Sequence, residues 1–513
     1  MSPLQLAVYW RLSLIFVFSA FLFFLDILTA AAVADTCSHN NGTEVTARTG
    51  LNQSEPAELS DLSDDWTGFS WSQDSVCSWR RWLCYGQTLF MVGLLLGSLV
   101  GGAISDKFGK RPVLLACAFL HSFCGLVPAV VSQPIIFLAV RCVTGLCSCI
   151  INNCAFSLAV EWTLPPSRLW PPAVLPFCFS LGTMGGAFLA WVSPNVTWLH
   201  LTLSLPQIAC LPLFYWIPES PRWLLLKKRT DVLERYRSSS KKDKHCLDQL
   251  LDSAYSELQK ATEAKIETDS AQCDIVHLRH PAVLKRLFIM SYISVASALT
   301  YYGICLNIGS FGVGVYSAQF FSGLSEAPCL LVPLVSLGRR PITILALFLS
   351  GAACFLSLLM SKYNCEAVLV MSSALLGKLC ILMATLISNL YSIELFPTIV
   401  RQRCVSLVNL CFRLGCLANT LVPPSSDGAI SLAAMLVYSS GPIIGCGLCL
   451  LLPETSGTPL PDSVYDCQQQ NKQASKNKTN NSDSILCWRW TNVSTHSSQT
   501  EIPSTKEPVG LLL

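Results

Sequence analysis

Hydrophobic residues are concentrated in twelve long runs, separated by short polar loops and a few longer polar stretches. Each run is near the ~20 residues that a helix needs to cross a bilayer. The first six runs lie at 11–33, 87–105, 113–132, 136–157, 173–193 and 199–217, and the other six at 284–306, 312–336, 342–361, 367–390, 403–423 and 429–452. The pattern predicts an all-α membrane protein with twelve transmembrane helices in two six-helix halves.

The polar stretches divide the chain into domains. We expect an N-terminal half at 1–218, which includes a large loop at 34–86, and a C-terminal half at 284–452. A linker at 219–283 mixes charges of both signs, and the tail at 453–513 has the polar composition of disordered sequence.

Lysine and arginine cluster in the loops on one side of these spans, including Lys107, Lys110 and Arg111. The positive-inside rule makes that side the cytoplasm, with both termini on it. Loop 34–86 then lies outside, where the sequons at Asn41 and Asn52 predict glycosylation.

Composition agrees with a membrane protein and argues against several other classes. The chain is 52% hydrophobic and 13% charged, whereas soluble chains are about 25% charged. The 25 cysteines lie mostly in apolar runs, where cysteine behaves as a small hydrophobe, and none has zinc spacing. A net charge of +3 without a basic stripe does not indicate nucleic acid. We find no nucleotide-binding motif or catalytic constellation, so we expect neither an enzyme, a metal nor a cofactor.

Three short polar motifs occur twice at nearly the same spacing. They are Gly109-Lys110-Arg111-Pro112 and Gly338-Arg339-Arg340-Pro341, Glu161 with Arg168 and Glu394 with Arg401, and Pro218-Glu219-Ser220 and Pro453-Glu454-Thr455. The repetition predicts a duplicated unit with equivalent positions in each half. Two like halves of apolar segments are typical of transporters that rock one half against the other.

These motifs carry a family resemblance. Residues 102–111 resemble the signature loop of the major facilitator superfamily. Residues 218–224, residues 393–402 and the pair Arg141 and Gly145 resemble the organic ion transporter family, solute carrier family 22. The resemblance covers residues 11 to about 456. It implies alternating access in the plasma membrane, a small organic ion as substrate, and a counter-exchanged dicarboxylate or a coupling ion as further partner. The cytoplasmic gate that it implies consists of Gly102, Asp106, Gly109, Arg111, Arg141, Glu161, Arg168, Glu219, Arg222, Gly338, Arg339, Arg340, Glu394, Arg401 and Glu454.

Two cations inside predicted spans are the main clue to the substrate, because buried charge in a bilayer is costly and usually functional. Arg413 and Lys378 would attract a carboxylate or sulfate if they face a cavity, and Arg413 matches an arginine typical of the organic anion branch. The alternative is a structural ion pair, for which Asp26 and Glu326 are candidate partners. Asp26 could also be a proton or cation site, or snorkel to the membrane surface.

Aromatic residues near these cations complete the predicted binding site. Tyr301 and Tyr302 match an aromatic pair of the family's cavity, and Trp191 is a weaker candidate. Cys329 stands where organic anion carriers usually have a cation, and Thr385 replaces a common aromatic residue. We therefore predict an organic anion carrier. The alternatives are a carrier-fold receptor or regulatory protein without transport, or a carrier of organic cations or zwitterions.

Overall fold

The computed structural model describes residues 3–34, 37, 73–131, 133–164, 170–227, 229–237, 244–245, 247–252, 255, 279–311, 313–329, 338–363, 365–420 and 432–455. The described residues form helices joined by short turns, with no strand among them. The predicted glycosylation sites Asn41 and Asn52, the gate residue Arg168, the tail beyond 455 and much of the linker lie outside these ranges.

The N-terminal half contains seven helical segments, because its first predicted span is interrupted at Phe24. They are α1 (Pro3–Phe23), α2 (Leu25–Ala34), α3 (Gln73–Phe108), α4 (Lys110–Val130), α5 (Pro134–Glu161), α6 (Pro171–Val192) and α7 (Val196–Tyr215). Proline occupies the first turn of α5 and α6, where its missing N–H has no helical partner to lose. α1 begins before the predicted start at 11, and α3 extends well outward of its predicted start at 87.

Two short helices follow, α8 (Pro221–Leu226) and α9 (Thr230–Arg237), in the predicted linker. The C-terminal half then contains α10 (Pro281–Leu306), α11 (Val315–Leu324), α12 (Arg339–Lys362), α13 (Ala367–Leu395), α14 (Thr398–Thr420) and α15 (Leu432–Cys449). Within the described part of the chain, nine helices are long and apolar enough to cross a bilayer: α1, α3 to α7, α10, α12 and α13. Each of the twelve predicted runs overlaps a described helix.

Close helix packing inside the N-terminal half depends on glycine. A Cβ added at Gly93 of α3 would overlap the carbonyl oxygen of Cys142 in α5, and one added at Gly145 of α5 would overlap that of Phe90. These small residues let the two backbones touch, which is how membrane helices associate when lipid removes the hydrophobic driving force. The α3–α5 pair therefore forms a rigid unit in this half.

Among the described residues, the most extensive contacts between the two halves are those of α6 with α11 and of α3 with α14. At the first contact, a Cβ on Gly323 of α11 would lie 2.9 Å from the Ser180 carbonyl oxygen and 2.8 Å from Met184. At the second contact, Thr88 donates a hydrogen bond of 3.5 Å to the carbonyl of Thr420, near the outer ends of α3 and α14. The halves are thus close-packed around Gly323 and joined by a hydrogen bond between Thr88 and Thr420.

Candidate functional site

The repeated motifs of the N-terminal half come together at the side that the positive-inside rule predicts to be cytoplasmic. Lys110 donates to Glu161 Oε1 at 2.5 Å and to Ser157 at 2.6 Å, and Ser220 donates to the other oxygen of Glu161. Glu219 accepts the backbone N–H groups of Lys110 and Arg111 at 3.1 Å. Because unpaired N–H groups give a helix N-terminus partial positive charge, this carboxylate stabilises the start of α4. We call Lys110, Glu161, Glu219 and Ser220 the N-terminal cluster.

The C-terminal half repeats this arrangement with its own copies. Arg339 pairs with Glu394 at 3.4 Å, and Thr455 donates to Glu394 at 2.6 Å. Glu454 accepts the backbone N–H groups of Arg339 and Arg340, at 3.0 and 3.2 Å, at the start of α12. We call Arg339, Glu394, Glu454 and Thr455 the C-terminal cluster. The correspondence holds residue by residue.

The predicted gate does not include Lys110, although the sequence contains a signal for its place in the N-terminal cluster. The repeated motif aligns Lys110 with Arg339 and Arg111 with Arg340. In the structure the first of each pair bonds to the glutamate, whereas the second turns outward. Arg111 donates to the carbonyl of Tyr215 at 2.7 Å and Arg340 to that of Leu450 at 2.8 Å. The second basic residue therefore ties its helix to the end of another helix of the same half.

Gly109 and Gly338 make room for the two carboxylates. A Cβ at Gly109 would lie 2.7 Å from a carboxylate oxygen of Glu219, and one at Gly338 would lie 2.7 Å from Glu454. Gly109 also has a φ of 100°, which side chains rarely tolerate.

Of the remaining predicted gate residues that the structure describes, Asp106, Arg222 and Gly102 are exposed and Arg401 is partly exposed. Asp106 is exposed and, among the described residues, its carboxylate makes no hydrogen bond; its carbonyl accepts from Trp223 at 3.1 Å. Arg222 is also exposed, and Arg401 donates to the carbonyl of Phe396 at 3.1 Å. No atom of the described residues lies within 4 Å of the position where a Cβ would stand on Gly102. The described part of the chain thus leaves the end of α3 around Gly102 and Asp106 uncovered.

Arg141 does not join either cytoplasmic cluster. It lies 20 residues before Glu161 on α5, which corresponds to about 30 Å along a helix. Its polar contacts lie within the N-terminal half: the guanidinium pairs with Asp26 at 2.6 Å and donates to the Leu22 carbonyl at 3.1 Å. Asp26 is 3% exposed and so does not snorkel to the surface. The pair is a buried link between α2 and α5.

The centre of the molecule contains a second buried ion pair, whose carboxylate also bonds to the opposite half. Lys378 pairs with Glu326 Oε1 at 2.7 Å, and the Tyr301 hydroxyl donates to the same oxygen at 2.6 Å. Ser180 of the N-terminal half donates to Glu326 Oε2 at 2.6 Å. Lys378 also donates to Ser322, and its ammonium lies 5.3 Å from the centre of the Tyr301 ring. We call Ser180, Tyr301, Ser322, Glu326 and Lys378 the central network.

Arg413 has a different environment from Lys378. It lies on α14 beside Cys149 of α5, Tyr302 and Cys416, and its side chain is half-buried. Among the described residues it makes no ion pair or hydrogen bond. Since Cys149 belongs to the opposite half, the guanidinium faces the interface between halves. A guanidinium without such partners has donors that can bind an anion.

Aromatic rings from both halves meet at Tyr302, the aromatic neighbour of Arg413. Phe23 stacks on Tyr302 with ring centres 6.1 Å apart, and Phe412 meets Tyr302 edge-on at 6.3 Å. Phe23 also contacts Phe90 and Phe179 at 5.1 and 5.4 Å. Sequence reasoning identified Tyr302 but missed the phenylalanines, because many apolar residues of a span look alike without knowledge of which face is central.

The other predicted binding residues are only partly brought to the centre. Cys329 is buried in the turn that follows Glu326, close to both members of the Lys378–Glu326 pair. Thr385 lies two turns beyond Lys378 on α13, and its hydroxyl donates to the Ile381 carbonyl at 2.8 Å. Trp191 is 66% exposed near the outer end of α6, where it contacts Phe188. The structure therefore does not bring Trp191 into the binding site.

Comparisons with known proteins agree with this architecture. The sequence model of the Major Facilitator Superfamily matches residues 59–420. Solute carrier family 22 member 6 of Pseudopleuronectes americanus is 30% identical over 81% of this chain and 76% of that protein. Organic anion transporter 3 of Oryctolagus cuniculus is 30% identical over 79% of this chain and 75% of its own length.

Solved structures give the same fold. The xylose transporter XylE from E. coli, in an inward open conformation, superposes with a TM-score of 0.59 and 16% sequence identity. The match covers 87% of this chain and 97% of that protein.

Proposed function

Because the chain belongs to the major facilitator superfamily and, within it, to solute carrier family 22, we propose that it carries small organic anions across the plasma membrane by alternating access. The named relative organic anion transporter 3 supports this substrate class. The observation that carries the proposal is Arg413, a cation without an ionic partner among the described residues, which faces the interface between halves.

The surroundings of Arg413 suit an anion with an apolar body. A guanidinium binds carboxylate or sulfate through paired N–H donors, and weak hydration makes it effective in a dry site. Tyr302 lies near it, and the rings of Phe23 and Phe412 pack on Tyr302 and extend this apolar surface. Charge would hold one end of the substrate while the rings hold the other.

We assign the present conformation to the state that is closed outside and open to the cytoplasm. Thr88 and Thr420 join the two halves near their outer ends, and Ser180 joins Glu326 at the centre. By contrast, Asp106, Gln402 and Arg403 at the cytoplasmic ends of α3 and α14 are exposed. Transport would then require the cytoplasmic ends of the halves to approach, with each cytoplasmic cluster keeping its own half rigid.

The test is uptake of labelled benzoate and labelled tetraethylammonium into cells that express the chain, with surface protein quantified. We expect benzoate uptake in the wild type, and a loss of about thirtyfold or more in Arg413→Ala, because an unpaired anion in the site is costly. Arg413→Lys keeps the charge but loses the planar fork, so its uptake should be intermediate.

Lys362→Ala is the matched control. This lysine lies in the last turn of α12 and is exposed, so removal of its charge should leave uptake unchanged. Absence of benzoate uptake despite normal surface protein would contradict the proposal. Uptake of tetraethylammonium that survives Arg413→Ala would assign the carrier to cations instead.

A further inference from the structure

Glu326 occupies the centre of the binding region but has no part in the anion recognition described so far. Both oxygens of its carboxylate bond to neighbouring side chains: Lys378 and Tyr301 contact one oxygen, and Ser180 contacts the other. The side chains of Glu326 and Lys378 are 5% and 1% exposed. Because burial of an uncompensated charge is costly, the two opposite charges of this enclosed pair neutralise each other.

We infer that Glu326 determines the charge of the substrate: it neutralises Lys378, leaves Arg413 as the one described unpaired cation at the centre, and so restricts the carrier to organic monoanions. This inference rests on the proposed function, because it names the charge class within the organic anions. It makes Glu326 a specificity-determining residue, although it carries the same sign of charge as the substrate.

The charge count at the centre supports this restriction. Of the three span cations described above, Arg141 is paired with Asp26 and Lys378 with Glu326. Only Arg413 contributes net positive charge. A monoanion would bring that net charge to zero, whereas the second carboxylate of a dianion would enter a low-dielectric site without a partner, which is unfavourable.

A substrate carboxylate is not expected to displace Glu326 from Lys378. Glu326 belongs to the same chain and is held by donors from α6, α10 and α13, so its local concentration exceeds that of any dissolved anion. Displacement would also leave a buried carboxylate without its cation. Lys378 therefore positions Glu326 and Tyr301, and is not itself available to an anion.

This assignment also bears on the exchange partner. The family resemblance offered either a counter-exchanged dicarboxylate or a coupling ion. The second carboxylate of a dicarboxylate would find no unpaired cation among the described residues at the centre. The central network therefore favours a singly charged exchange partner or a coupling ion.

The experiment compares labelled benzoate with labelled terephthalate, which has the same ring and a second carboxylate. In the wild type we expect benzoate uptake to exceed terephthalate uptake by about tenfold or more, as for one unmatched polar group in a specific site. In Glu326→Gln, which frees the charge of Lys378, the benzoate-to-terephthalate ratio should fall by about tenfold. The double variant Glu326→Gln/Lys378→Gln should return the ratio toward the wild-type value.

Glu366→Gln is the matched control, because it removes an exposed carboxylate at the start of α13 and should leave the ratio unchanged. Uptake of terephthalate by the wild type that equals or exceeds uptake of benzoate would overturn the inference. This measurement does not depend on the folding of any variant. An unchanged ratio in Glu326→Gln, with uptake retained, would overturn it as well. Uptake of neither anion would overturn the proposed function and this inference with it.

Discussion

The N-terminal cluster and the C-terminal cluster form equivalent hydrogen bonds, but the ion pair of the N-terminal cluster is shorter and less exposed. Lys110 meets Glu161 at 2.5 Å, with side chains 12% and 17% exposed, whereas Arg339 meets Glu394 at 3.4 Å, with both side chains 26% exposed. The central network has no such copy, because its acid, its lysine and its tyrosine all come from the C-terminal half. We thus assign movement to the two repeated clusters and recognition to the centre of the molecule, which is not repeated.

The largest effect on movement should come from filling the open space at Gly102. Gly102→Leu fits the present structure, since nothing lies within 4 Å of the added Cβ. It should obstruct closure of the cytoplasmic side and reduce benzoate uptake by more than about tenfold, while surface protein stays normal.

Gly447→Leu is the control for this change. Gly447 is also exposed and also has nothing within 4 Å of an added Cβ, but it lies near the cytoplasmic end of α15, away from the α3–α14 and α6–α11 contacts. Equal loss of uptake in both variants would contradict the assignment of a moving surface to α3.

The two clusters should differ in their sensitivity to loss of the glutamate charge. Glu161→Gln leaves Lys110 without its counter-ion in the less exposed cluster, so uptake should fall by about tenfold. Glu394→Gln should reduce uptake by only about threefold, because the more exposed pair is better screened by solvent. The ratio of maximal uptake rates, normalised to surface protein, measures this. A larger loss in Glu394→Gln would reverse the ranking.

The smallest effect should come from the hydroxyl groups of the clusters. Ser220→Ala removes one donor to Glu161, and Thr455→Ala removes one donor to Glu394. Each glutamate keeps its basic partner, so we expect about a twofold decrease in maximal uptake, in line with the modest net value of one hydrogen bond. Ser372→Ala, an exposed serine whose hydroxyl bonds only within its own helix, is the control. A loss as large as in Glu161→Gln would show that the hydroxyl, not the ion pair, is essential.

Much of the architecture followed from the sequence because a bilayer imposes a length and a polarity on every span. The twelve runs, the two halves and the family were all predicted, and the family matches confirm the fold class. Boundaries were less accurate, as at α1 and α3, because helices continue beyond the hydrocarbon region without a change in hydropathy.

The binding site was predicted less completely than the fold. Sequence indicated that Lys378, Arg413 and Glu326 matter, since charge inside a span is rare, but it could not show which of them pair. Asp26 was considered as a partner for these cations, and in the structure it pairs with Arg141 instead. The contact of Ser180 with Glu326 could not be predicted, because a serine in a span does not indicate which helix it contacts. Pairing depends on helix rotation, which hydropathy does not encode.

The central claim, that recognition resides at the centre and movement in the clusters, is tested most directly by ligand binding without transport. The melting temperature of the purified full-length protein in detergent is measured with and without excess benzoate, which stabilises only a protein that binds it. We expect the same benzoate-dependent rise in Tm for the wild type and Glu161→Gln, and none for Arg413→Ala. Loss of the rise in Glu161→Gln with a full rise in Arg413→Ala would contradict the account.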